Sequence, residues 1–228
     1  MKEEQALKTD REMKNESAGK AEAKKGMTAA QFLGVDRASW TVPRLAGIGI
    51  LTALTIVLQM LGSFIKFGPF SISLTLVPIV VGAALYGPAA GAWLGFVFSM
   101  VVLLSGDAGP FLAVNVLGTI VTVIAKGTLA GLAAGLVYRA FKGKRPMLAV
   151  VAAALTCPVV NTGLFLVGCL VFFLPTVTEW GTAMGFPSVG RYMILGLVGG
   201  NFLFEVLLNI VLSPVILRLI RIGQRRKA

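Results

Sequence analysis

Histidine is absent from the 228 residues, and cysteine occurs only at Cys157 and Cys169. Without imidazole, the commonest metal ligand and general base is missing. The two cysteines share one apolar stretch. If it is helical, they stand roughly 18 Å apart at about 1.5 Å rise per residue, beyond disulfide reach. Neither a metal site nor thiol redox chemistry is expected. Charge is scarce as well: 14% of residues are charged, against about 25% in soluble domains. Much of it is crowded at the start, where residues 1–44 hold nine of the 21 basic and seven of the ten acidic side chains. These shortages exclude a soluble enzyme, a disulfide scaffold and a nucleic-acid module. The pI near 10.1 therefore reads as membrane topology rather than affinity for nucleic acid.

What fills the chain is apolar. Hydrophobic residues make up 56%, and the mean hydropathy is +0.84. That composition indicates an all-α polytopic membrane protein. Residues 1–44 read as a charged cytoplasmic tail, mostly disordered; they lack the apolar core of a signal peptide. Residues 45–220 read as the membrane domain, and 221–228 as a basic cytoplasmic end. A bilayer crossing takes about 20 apolar helical residues. The candidates are 45–65, 72–87, 88–105, 113–139, 147–174 and 191–220, a bundle of six transmembrane helices. The second span is short and carries Pro78. Its first residues, SISLTL, alternate like a strand, so its helix is expected to begin near Leu76.

Orientation follows from the basic residues. With the N-terminus inside, eighteen of the 21 fall on the inner side, Lys66 and Arg191 fall outside, and Lys126 lies within a span. This bias places both termini in the cytoplasm.

Polar groups within a bilayer are costly and mark function. Lys126, Asn161 and Glu205 lie near the middle of the fourth, fifth and sixth spans, at roughly one depth. Asn115, Thr119, Thr122 and Lys126 recur at steps of four, three and four, one face of a helix running from the outer mouth to the midplane. Asn201, Glu205 and Asn209 continue the pattern on the sixth span, and Cys157, Asn161, Phe165 and Gly168 share a side of the fifth. Turned inward, these faces form a polar pocket open to the outside. Asn115, Thr119, Thr122, Lys126, Asn161, Asn201 and Glu205 are the candidate substrate-binding residues. The alternative is a purely structural Lys126–Glu205 pair with amides as interhelical glue.

Two outer loops combine glycine and proline with aromatic side chains. Phe67 and Phe70 lie in the 66–72 loop, and Asp107 and Phe111 in the 105–111 loop. They are the candidate gating residues; ordinary turn chemistry is the other reading. Small residues four apart, Gly49/Ala53, Gly87/Gly91/Gly95 and Gly127/Gly131/Gly135, permit close helix approach without naming a partner.

Three stretches resemble the substrate-binding S component of an energy-coupling factor (ECF) transporter, a vitamin importer. GIGILTALTIVL (47–58) is similar to the first helix of that family, whose small residues four apart dock the coupling subunit. Here the pair is Gly49 and Ala53, where the family usually has two alanines. ISLTLVPIVVGAALYGPAAGAWLGFVFS (72–99) resembles the second and third helices joined at a tight Gly-Pro turn. CPVVNTG, around Pro158 and Asn161, resembles part of the fifth. The likeness extends over 45–220.

The resemblance implies a subunit without its own ATPase or cofactor. It captures a vitamin outside and releases it inward with a transmembrane coupling subunit and two cytoplasmic ATPases that consume ATP, in a bacterial or archaeal cell membrane. Consistently, the chain has no phosphate-binding Gly-rich Lys-Ser/Thr loop. The run FGPFSISLTLVPIVVGA is most similar to pantothenate-type or riboflavin-type receptors. Pantothenate, with one carboxylate, two hydroxyls and an amide, suits one lysine among Asn and Thr groups; riboflavin is second. The alternative is a stand-alone secondary transporter with Lys126 and Glu205 as an ion or proton relay. It lacks the two related halves such carriers often show. An intramembrane enzyme lacks its constellation, with no histidine and no membrane Asp pair. A ligand-free scaffold subunit does not explain the outward polar stripe.

Overall fold

The computed structural model describes residues 41–64, 66–67, 70–71, 74–143 and 145–225. The disorder expected for residues 1–40 lies outside them. Helix α1 (Val42–Ser63) starts with Pro43 in its first turn, where no N–H partner is needed. A two-residue antiparallel pairing follows, β1 (Lys66–Phe67) with β2 (Phe70–Ser71), Lys66 opposite Ser71 and Phe67 opposite Phe70. Then come α2 (Leu76–Tyr86), α3 (Pro88–Leu104), the short α4 (Gly109–Leu112), α5 (Val116–Phe141) and α6 (Pro146–Phe172). After them, α7 (Leu174–Ala183) and α8 (Val189–Arg191) lead into π-helical turns over Tyr192–Gly199, which continue as α9 (Gly200–Arg225).

Among the described residues, four helical segments are long and apolar enough to cross a membrane: Val42–Ser63, Val116–Phe141, Pro146–Phe172 and Val189–Ile222. The other two apolar helices are shorter, 17 residues in α3 and 11 in α2. At about 1.5 Å per residue they reach roughly 26 and 17 Å. Helix α2 does begin at Leu76. Pro78 then falls in its first turn, where it breaks no helical hydrogen bond. The turn into α3 requires φ +97° at Gly87, a conformation other residues rarely adopt.

Glycines decide how the helices meet. A Cβ on Gly91 or Gly95 would overlap the carbonyl oxygen of Gly131 or Gly127, and the reverse holds for Gly131. Helices α3 and α5 therefore touch backbone to backbone, reinforced by Ser99 Oγ donating to Val123 O at 2.7 Å. Gly168 on α6 packs directly on the Thr122 side chain of α5. Helix α1 runs antiparallel to α2. Arg44 donates to the Tyr86 carbonyl at one end, and Thr75 Oγ1 donates to Gln59 Oε1 at 2.8 Å at the other. Its buried residues are few: Ile48, Thr55, Gln59 and Gly62. One apolar core runs through α2, α3, α5, α6 and α9, including Leu76, Ile79, Leu94, Phe98, Ala153 and Ile216. A second gathers Phe111, Cys169, Phe173, Val177, Tyr192, Met193 and Leu197 at the end where α7 lies.

The chain departs from the expected spans at two places. A separate helix, α7, stands between the fifth and sixth spans, and the last span opens with π turns rather than a regular α-helix. Each π turn holds an extra residue, which shifts every later side chain around the axis.

Candidate functional site

A cavity of about 60 Å³ opens between α1, α3, α4, α5, α6 and α9, room for a few waters at about 10–15 Å³ each. Thr119, Thr122 and Lys126 reach it from α5, Asn161 from α6, and Asn201 and Glu205 from α9. These are six of the seven residues expected to bind. Asp107 and Phe111 line it as well. The depth match read along three spans thus becomes a shared wall.

The seventh, Asn115, is elsewhere. It is the N-cap of α5, and its Oδ1 accepts the Gly118 N–H at 2.9 Å. Asparagine suits that place because its side chain satisfies an otherwise orphaned helical N–H. Of the other gating candidates, Phe67 and Phe70 pair through their backbones in the β hairpin, and their side chains lie outside the described residues. Gly49 and Ala53 are exposed on the outer face of α1, and a Cβ at Gly49 would meet nothing within 4 Å.

Lys126 is held by aromatic faces. Its Nζ lies 5.2 Å from the Phe165 centroid and 5.9 Å from that of Phe98, within the range of cation–π attraction. Among the described residues it makes no hydrogen bond and no ion pair. The direct Lys126–Glu205 pair weighed as a structural alternative is thus not formed. The Glu205 carboxylate, 1% exposed, instead accepts from Asn201 Nδ2 at 3.2 Å through Oε1. Asn209 Nδ2 donates to the Glu205 backbone carbonyl at 2.8 Å.

Buried atoms on this wall without a hydrogen-bond partner among the described residues include Thr122 Oγ1, Asn161 Oδ1 and Asn201 Oδ1. Thr119, by contrast, spends its hydroxyl on the Asn115 carbonyl at 2.7 Å. A buried polar atom left without a partner costs about 1–3 kcal/mol. A solute bearing hydrogen-bond donors beside an anionic group would satisfy these oxygens and the ammonium together. Behind Lys126 and Phe165 a second cavity of about 50 Å³ shares Asn161 and Asn201 with the first and adds Thr162, Leu197, Val198 and Phe202.

The roof is aromatic. Phe111 packs edge-on against Phe165, Phe173 and Trp180, with centroids 5.5, 5.0 and 5.4 Å away. Trp180 belongs to α7, the helix that the sequence reading missed. Gln59 was missed too, although a lone glutamine inside an apolar span was the available signal. It is 1% exposed, lines the cavity, and donates to Asp107 Oδ2 at 3.1 Å.

The described residues contain no cluster of His, Cys, Asp and Glu able to hold a metal ion, and both cysteines are free and buried. What the cavity can do is bind: one cation, donor-seeking oxygens and aromatic walls within a membrane bundle. Comparison with curated proteins finds no match. Residues 43–217 match the family of the substrate-specific component of ECF transporters. This chain, a multi-pass membrane protein with a polar cavity among its helices, belongs to that family of substrate-binding subunits.

Proposed function

We propose that the chain captures a vitamin outside the cell, pantothenate before riboflavin, in the cavity around Lys126, which widens as its aromatic roof opens to admit the ligand. The observation that carries this reading is an ammonium without an ionic or hydrogen-bonding partner among the described residues, facing a cavity whose wall also holds the oxygens of Asn161, Asn201 and Thr122. A ligand carboxylate meets the ammonium, and ligand hydroxyl and amide protons meet the oxygens. Each such bond to a charged group contributes about 1.5–3 kcal/mol.

In this reading α2 and α3 complete a six-span bundle with both termini in the cytoplasm of a bacterium or archaeon. The exposed Gly49–Ala53 face of α1 docks a transmembrane coupling subunit, and two cytoplasmic ATPases supply the energy. The chain itself carries out no catalysis and uses no cofactor.

Calorimetry on the purified protein in nanodiscs tests the ligand. Pantothenate should bind, and panthenol, in which a neutral alcohol replaces the carboxylate, should bind at least about tenfold more weakly. Equal affinity for the two would remove Lys126 from the site. Riboflavin binding without pantothenate binding would exchange the vitamin and keep the subunit's role.

A further inference from the structure

Asp107 is the meeting point of three donors. Its Oδ2 accepts from Ser63 Oγ at 2.7 Å, Gln59 Nε2 at 3.1 Å and Ser105 Oγ at 3.1 Å. Gln59 also accepts, through Oε1, the Thr75 hydroxyl at 2.8 Å. Gln59 and Thr75 are almost fully buried, so both ends of this amide are satisfied away from solvent. One node thus ties the last turns of α1, the entry to α2 and the turn after α3.

That turn is built to be held. Gly106 sits at φ +86°, which reverses the chain and delivers Asp107 to α1. Ala108 and Phe111 follow immediately and close over the cavity, both about 4% exposed. The roof is therefore attached on at least two sides. On one side Phe111 rests on the rings of Phe165, Phe173 and Trp180. On the other Asp107 is hydrogen-bonded to a helix that buries only four of its 22 residues.

We propose that Gln59 and Asp107 are a positioning pair that latches the cavity roof onto α1, making the first helix part of the lid. At this end Gln59 and Gly62 are the buried residues of α1. A buried amide with one geometry for both of its bonds fixes the register of the helix, because moving α1 strands its donor and acceptor at once. Opening the roof then requires breaking the node, and loosening α1 frees the roof. The proposal rests on reading this cavity as the substrate site, but it concerns closure alone and is tested without ligand.

Cys169 is a native reporter. It is fully buried in the cluster beneath Phe111, whereas Cys157 is fully buried in the other core. Labelling of each cysteine by a water-soluble maleimide, resolved by peptide mass spectrometry on the full chain in nanodiscs, reads roof opening against global opening. Gln59→Met keeps the side-chain length and removes both bonds. It should raise the Cys169 rate about tenfold and leave Cys157 near that of the parent, with the melting temperature lowered by a few degrees as two buried bonds are lost. Ser63→Ala, which removes a half-buried hydroxyl shared between Asp107 Oδ2 and the Gln59 carbonyl, should give a smaller rise at Cys169 alone. Asp107→Ala should match or exceed Gln59→Met, and the double variant should add nothing further, since both changes break one node. Unchanged Cys169 labelling in the folded variants would overturn the latch. So would a parallel rise at both cysteines, or rate increases that multiply in the double variant.

Discussion

Lys126 Nζ and the Phe165 ring lie 5.2 Å apart, and this contact, with Phe98 on the other side, takes the place of a salt bridge within the bundle. The pairing leaves a costly intramembrane charge facing the cavity. The ring stabilises the ammonium without consuming its hydrogen-bond donors, which stay available to a solute.

Replacing Lys126 by methionine should therefore cost binding more than stability. The change forfeits cation–π attraction and relieves burial of a charge, two effects of opposite sign. The melting temperature should stay within a few degrees, equivalent to about 1 kcal/mol. Pantothenate affinity, read by calorimetry, should fall at least about tenfold.

Asn115→Ala should act on stability and leave binding nearly intact. The side chain caps α5 and does not line the cavity, so its loss should cost about 1 kcal/mol. Thermal unfolding in detergent and calorimetry together check it. A large binding loss at unchanged stability would return Asn115 to the ligand site.

Gly131→Ala should be among the most damaging small changes in the chain. The added methyl meets the Gly91 backbone, which has no rotamer to yield, and the helices must separate at a cost of about 3 kcal/mol or more. Thermal unfolding measures it, and Gly163→Ala, where a Cβ meets nothing within 4 Å, is the control.

Gly49→Leu should fold normally and bind ligand normally, since its face is exposed and no neighbour lies within 4 Å of the added Cβ. Co-purification with a coupling subunit should be lost if this face docks it. Retained assembly would leave the face to lipid.

In liposomes without partner subunits the protein should bind solute and not accumulate it. Concentrative uptake driven by a proton or sodium gradient would favour the secondary-transporter reading.

Much of the cavity wall was legible along the chain because an intramembrane polar side chain is rare and expensive. Lys126, Asn161 and Glu205 stood out for that reason, and helical periodicity placed Thr119 and Thr122 beside Lys126. Asn115 fitted the same period and still belongs to a cap, because the periodicity does not reveal where the helix begins. Gln59 escaped notice as an uncharged residue in an otherwise apolar span, and its partner Asp107 is 48 positions away.

The sequence by itself determined the class of the molecule, its long apolar helical stretches and the faces on which their polar groups lie. Those follow from local composition and the 3.6-residue period, and each is a property of one segment. Only the tertiary structure decided which faces meet. It set Gly91 and Gly95 against Gly131 and Gly127, gave Lys126 two rings in place of a carboxylate, and tied Asp107 to α1. Such choices depend on how closely whole backbones approach and on which distant side chain arrives first at a buried group. No single segment's pattern encodes either.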